Sequence, residues 1–144
     1  MSALQSGNYI TQMSVAEKIT FLKILSVLSQ SDNNFDQAEK DFITELAVAM
    51  DVDDSLIDEI FSTTDKQEVI KAAAEIKNRH TALNIIKEAC LLANSDNDLS
   101  EAEIVFIGDI AQAMGIELEK VERISQWVID CLILQEQRKI IFEE

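Results

Sequence analysis

The chain has 144 residues, of which 47% are hydrophobic, and it contains three glycines and no proline. A β-rich protein of this length needs many tight turns, so the shortage of turn-forming residues argues against strands and favours helices. The formal net charge of −15 repels phosphate backbones and anionic lipid. It therefore argues against nucleic-acid binding and leaves cations, basic proteins or simple solubility as roles for the acidic residues.

The first helix is predicted to begin at Ser14. Residues 1–13 have neither the basic start nor the apolar core of a secretion signal, and we expect them to form a flexible segment. Ser14 and Glu17 match a capping box, in which each side chain accepts a hydrogen bond from the backbone N–H of the other residue. Apolar residues then recur at helical spacing at Ile19, Leu22, Leu25 and Leu28.

Three further helices are predicted up to residue 78. The acidic phrase "SDNNFDQAE" (31–39) leads into a second helix that ends at Asp51, a residue type that tolerates a left-handed backbone. A third helix is expected from about Asp53 to Phe61, and "STTD" (62–65) is expected to cap a linking helix that runs to about Asn78. One apolar face of the second helix carries Ala38, Phe42, Ile43, Leu46 and Met50.

The remaining chain repeats this order. A helix containing Leu83 and Ile86 precedes a second acidic phrase, "SDNDLSEAE" (95–103). The next helix is expected from Ser100 to Met114, followed by Gly115, and a long last helix from about Glu117 to near the C-terminus. The prediction is an all-α protein of about seven helices in a single domain over 14–144.

The two acidic phrases belong to a longer internal repeat. An offset of 64 residues pairs similar residues along both halves without a gap, as chance similarity between two acidic helical segments rarely does. Identical pairs include Asp32 with Asp96, Glu39 with Glu103, Phe42 with Phe106, Ala47 with Ala111, Met50 with Met114 and Ile60 with Ile124. We predict two duplicated three-helix units, over 14–62 and 79–138, joined by the linking helix.

Neither acidic phrase is an EF-hand loop. Such a loop needs glycine at position 6 and glutamate at position 12. Counted from Asp32, these positions hold Gln37 and Ile43. Counted from Asp96, they hold Glu101 and Ile107. Both phrases therefore lack the residue for the sharp turn and the bidentate ligand.

Two interpretations of the phrases remain open. In the first, Asp36 with Glu39 and Ser100 with Glu103 are helix caps. The acidic side chains of the phrases then contribute only to stability and solubility. In the second, the surplus carboxylates bind a divalent cation (calcium, magnesium or zinc) or a basic protein surface, because hard cations accept such oxygen ligands. The candidate metal ligands are Asp32, Asp36, Glu39, Asp96, Asp98 and Glu103.

The stretch "ANSDNDLSEAEIVFIGDIAQAMGI" (93–116) resembles the TerB-like family, which includes tellurite-resistance TerB proteins and the N-terminal region of the DjlA co-chaperone. The resemblance covers residues from about Ile19 to Leu134. It departs from the family pattern at Phe35 and Leu99, where a turn glycine is usual. The matching residues are Asp32 and Glu39 in the first half and Ala93, Asp96, Glu101, Glu103 and Gly115 in the second.

The resemblance implies an all-helical fold of duplicated units with acidic patches for a cation or a partner. It also implies a bacterial cytoplasmic protein that is linked to stress or tellurite resistance and has no enzymatic reaction. A purely structural or scaffold domain without a ligand is the alternative.

The sequence lacks a recognisable catalytic set. His80 is the single histidine, and a surface or capping role is expected for it. Cys90 and Cys131 lie far apart in apolar stretches and are expected to be reduced and buried. A remote alternative is an acyl-carrier-like protein modified at Ser55, within "DDSLIDEI" (53–60).

The last helix carries the most apolar stretch of the chain, "WVIDCLIL" (127–134). This stretch is too short to span a bilayer. A helix that is apolar nearly all round is usually buried on several sides, and the alternative is a homodimer or partner groove formed by this helix.

Overall fold

A computed structural model describes residues 13–30, 37–94 and 100–143. The helices in these ranges are α1 (Val15–Gln30), α2 (Gln37–Ala49), α3 (Ile57–Ser62), α4 (Lys66–Ala73), α5 (Arg79–Ala93), α6 (Glu101–Ala113) and α7 (Leu118–Phe142). A short 3-10 helix, Asp54–Leu56, leads into α3. The described residues contain seven α-helices and no strand, so the prediction of an all-α fold is confirmed.

Side-chain caps determine where α1 and α6 begin. Ser14 and Glu17 form the predicted capping box, with the Ser14 N–H donating to Glu17 Oε1 at 2.8 Å and the Glu17 N–H donating to Ser14 Oγ at 3.1 Å. Ser100 and Glu103 form a second box before α6, with distances of 2.9 and 3.2 Å. Each box satisfies backbone N–H groups that have no partner within the helix.

The linking helix is shorter than predicted. α4 ends at Ala73 instead of about Asn78. Asn78 caps the next helix, since its side-chain oxygen accepts from the Thr81 N–H at 3.1 Å. This bond fixes the start of α5 at Arg79, so the chain must leave α4 several residues earlier.

The core is centred on α1 and α5, which pack against each other. α2 and α3 pack on α1, whereas α6 and α7 pack on α5. α4 packs on both α1 and α6 and so joins the two groups of helices. The largest fully buried side chains include Phe21, Leu22, Leu25, Leu28, Ile43, Ile60, Ile85 and Phe106.

Helix bounds in the two halves correspond at the offset of 64 residues. Adding 64 to both bounds of α2 gives the bounds of α6, and adding it to the first residues of α1 and the 3-10 helix gives the first residues of α5 and α7. The duplication of a whole three-helix unit stays a prediction, because matching bounds do not by themselves make two units superimpose.

The N-terminal prediction falls mostly on residues 1–12, which lie outside the described part of the chain. Met13, the last residue of the segment predicted to be flexible, is buried in the core. The single domain over 14–144 stays a prediction.

Candidate functional site

Four of the six predicted metal ligands, Asp32, Asp36, Asp96 and Asp98, lie outside the described residues. Glu39 and Glu103 are the third residues of α2 and α6. Glu103 is buried, and its Oε1 accepts the Ser100 N–H at 2.9 Å. Within 13–30, 37–94 and 100–143 no three His, Cys, Asp or Glu side chains gather as metal ligands would. The metal site therefore stays a prediction.

Ser55 and His80 both lie in helical first turns. Ser55 is exposed, and its N–H donates to Asp53 Oδ1 at 3.0 Å. This backbone hydrogen bond, with a further one from the Ser55 side chain, lowers the pKa of the Asp53 carboxyl. His80 is exposed, as predicted, and Asn84 Nδ2 lies 3.4 Å from its Nε2. The Asp53–Ser55 pair caps the 3-10 helix.

Neither cysteine is in a disulfide, and they differ in exposure. Cys90 is buried, and burial raises the pKa of its thiol to about 12. Cys131 is only half-buried, so the prediction of two buried thiols is wrong for this residue. It lies on α7, part of which projects from the core.

α7 has two apolar faces. Its inner face places Val121 and Val128 in the core. Its outer face carries Ile133, Leu134, Ile140 and Ile141, which are 50%, 64%, 62% and 67% exposed. These positions fall on one side of a helix because they are spaced one, seven and eight residues from Ile133.

The expectation that α7 is buried on several sides is therefore wrong. One side packs on α5 and α6, and residues 136–143 are all exposed. We name the exposed set Ile133, Leu134, Gln137, Ile140 and Ile141 the outer face of α7. An open groove of about 460 Å³ borders it, lined by Asn94, Ile129, Leu132, Ile133, Gln135, Glu136 and Lys139.

α2 and α6 differ in how much of their surface is covered. Both bury the equivalent pair, Ile43 with Ala47 and Ile107 with Ala111. α6 buries a second stripe as well, formed by Glu103, Phe106 and Ile110. The equivalent stripe of α2, which we name the α2 stripe, is less covered: Phe42 is 41% exposed, and Glu39 and Leu46 are partly buried.

The two phenylalanines differ in burial because α6 packs on α4, α5 and α7. Phe106 is 2% exposed, and Lys66 Nζ of α4 lies 5.8 Å from the centre of its ring. Phe42 is 41% exposed, and α2 packs mainly on α1. The apolar face predicted for α2 is therefore only partly covered: Ala38 and Phe42 are exposed, whereas Ile43 and Met50 are buried.

The helical structure is interrupted between α3 and α4, but α7 continues without interruption through the equivalent point. Asp65 caps α4 by accepting from the Gln67 N–H at 3.0 Å and the Glu68 N–H at 3.4 Å. At the offset of 64 residues, Ile129 stands in the place of Asp65. Isoleucine has no side-chain acceptor, so α7 runs through this point as one helix of 25 residues.

α5 carries a buried ion pair that its sequence pattern does not predict. Lys87 Nζ and Glu88 Oε1 are 3.5 Å apart, and both residues are only 7% exposed. α5 packs against α1, α6 and α7, so even its polar positions are covered. Adjacent charges on a helix gave no signal of this burial, because polar residues are normally expected on the solvent side.

None of the helices in the described part of the chain combines the length and the apolar character that a bilayer span needs. Comparison of the sequence and the structure with protein-family models, curated proteins and solved structures finds no match.

Proposed function

We propose that this chain is a non-enzymatic, TerB-like binding protein of the bacterial cytoplasm that engages a protein partner through the outer face of α7. The observation that carries the proposal is the exposure of Ile133, Leu134, Ile140 and Ile141 on one side of that helix. Several large apolar side chains exposed on one side of a helix are costly in water, and such surfaces commonly mark binding sites.

The form of the surface favours a helix as the binding element. The four residues follow the spacing of an amphipathic helix that lays its apolar side against a groove or another helix. The exposed end of α7 carries charges of both signs, since Glu136 and Glu143 flank Arg138 and Lys139, and Lys139 Nζ lies 3.9 Å from Glu136 Oε2. The partner surface is therefore expected to be mainly apolar, without a strong charge of either sign.

A photo-cross-linking residue at position 141 tests this proposal in the intact cell. We expect a discrete adduct from position 141 and none from position 122, where exposed Glu122 on the same helix provides the matched control. The adduct should disappear in the Leu134→Asp variant, because a carboxylate on the outer face opposes an apolar contact. Absence of adducts from positions 133, 134 and 141 alike would contradict the proposal.

A second candidate function is the binding of a divalent cation at the acidic phrases. It is supported by the positions of α2 and α6, which begin within the two phrases at Gln37 and Glu101, and by the similar carboxylates that both phrases carry in the sequence. Asp32, Asp36 and Glu39 would supply the first set, and Asp96, Asp98 and Glu103 the second.

Amide NMR during titration with calcium, magnesium or zinc tests the cation site. We expect shifts confined to residues 31–39 and 95–103 that are lost in Asp32→Ala and Asp96→Ala. Asp58→Ala, at an exposed acidic position on α3, is the control and should retain them. No shift at about 1 mM metal would reject the site, since this concentration lies at the weak end for protein sites.

The proposed link to stress or tellurite resistance depends on the resemblance of residues 93–116 to the TerB-like family. Deleting the gene should raise the sensitivity of the cell to tellurite, and the intact chain should restore resistance. Equal growth of the deleted and complemented strains at every tellurite concentration would contradict this link.

A further inference from the structure

We draw no further inference here: the strongest candidate, the outer face of α7 with the open groove beside it, belongs to the surface already described, and nothing in the described part of the chain shows what covers it.

Discussion

Asp51 and Gly115 end their helices with the same backbone geometry. The φ angle is 59° at Asp51 and 79° at Gly115. In each case the following residue donates its N–H to the carbonyl five positions earlier at 2.9 Å, from Val52 to Ala47 and from Ile116 to Ala111. This is the Schellman arrangement, in which a left-handed residue lets the chain satisfy the last helical carbonyls.

Replacing Gly115 with alanine should lower the free energy of unfolding by about 1 kcal/mol. A Cβ at this position meets nothing within 4 Å, so the cost comes from the left-handed backbone alone. Gly108→Ala is the matched control, because Gly108 lies inside α6 with equally open surroundings, and we expect it to stabilise by about 0.5–1 kcal/mol. Urea unfolding of both variants measures the difference; a similar change in both would contradict this account.

Phe42 and Phe106 should respond differently to truncation even though they occupy equivalent positions. Phe106→Ala should lower the free energy of unfolding by about 3–5 kcal/mol, because it leaves a cavity beneath α4. Phe42→Ala should cost less than about 1 kcal/mol, since much of its ring is already in water. Thermal unfolding at low protein concentration makes the comparison, and equal losses would contradict the difference in burial.

Variants in the capping box before α6 can distinguish a structural role of Glu103 from a role as a metal ligand. Ser100→Ala should lower the free energy of unfolding by about 1 kcal/mol, because the Glu103 N–H loses its acceptor. Glu103→Gln should cost less, since glutamine can accept the same bond from the Ser100 N–H. Urea unfolding measures both changes, and a larger loss in Glu103→Gln than in Ser100→Ala would show that the charge itself is needed.

The contact between Arg79 and Glu117 should make stability depend on pH in the acidic range. Arg79 Nη2 donates to Glu117 Oε1 at 2.7 Å, and this bond lowers the pKa of the Glu117 carboxyl in the folded state. The stabilisation is therefore fully present above the ordinary glutamate pKa of 4.5 and is lost as the pH falls through the lower folded value.

Glu117→Gln should accordingly be less stable than the parent protein at neutral pH and equal to it in strong acid. The change should be small, because both side chains are exposed and solvent screens the pair. Urea midpoints across the pH range test this, with Glu122→Gln as the control. A difference that persists unchanged in strong acid would mean that the carboxylate charge is not the cause.

The two thiols should differ in reactivity. Burial raises the pKa of Cys90 to about 12, so at neutral pH it is a protonated, inaccessible thiol, whereas Cys131 is half-buried. A thiol reagent should modify Cys131 in the folded protein and both residues in denaturant. Mass spectrometry identifies the modified residue, and rapid modification of Cys90 in the folded protein would contradict its burial.

The sequence predicted the helices well wherever a local signal marks a boundary. Ser14, Ser100, Asp51 and Gly115 all act through hydrogen bonds to residues a few positions away, so their patterns survive in a linear sequence. The end of α4 was misplaced because Asn78, a residue compatible with several turn positions, belongs to the cap of α5.

Burial was harder to predict because it depends on neighbours that are distant in sequence. Phe42 and Phe106 occupy the same place in their helices, but α6 packs on α4, α5 and α7 whereas α2 packs mainly on α1, so that Phe106 is buried and Phe42 is exposed. The apolar stretch 127–134 of α7 was expected to be in the core on composition alone, yet Ile133 and Leu134 are exposed. Nothing local to α7 encodes which of its two apolar faces has a partner within the same molecule.

The position of α4 also has a consequence for synthesis of the chain. Val69 and Ile76 leave the ribosome before Phe106, so in a nascent chain that ends before α6 the apolar side of α4 has α1 as a neighbour but not yet α6. The first half of the protein thus depends on residues that have not yet been translated. Full stability is reached only after α6 has emerged, and a chain cut between α4 and α5 should yield two fragments that must find each other to fold.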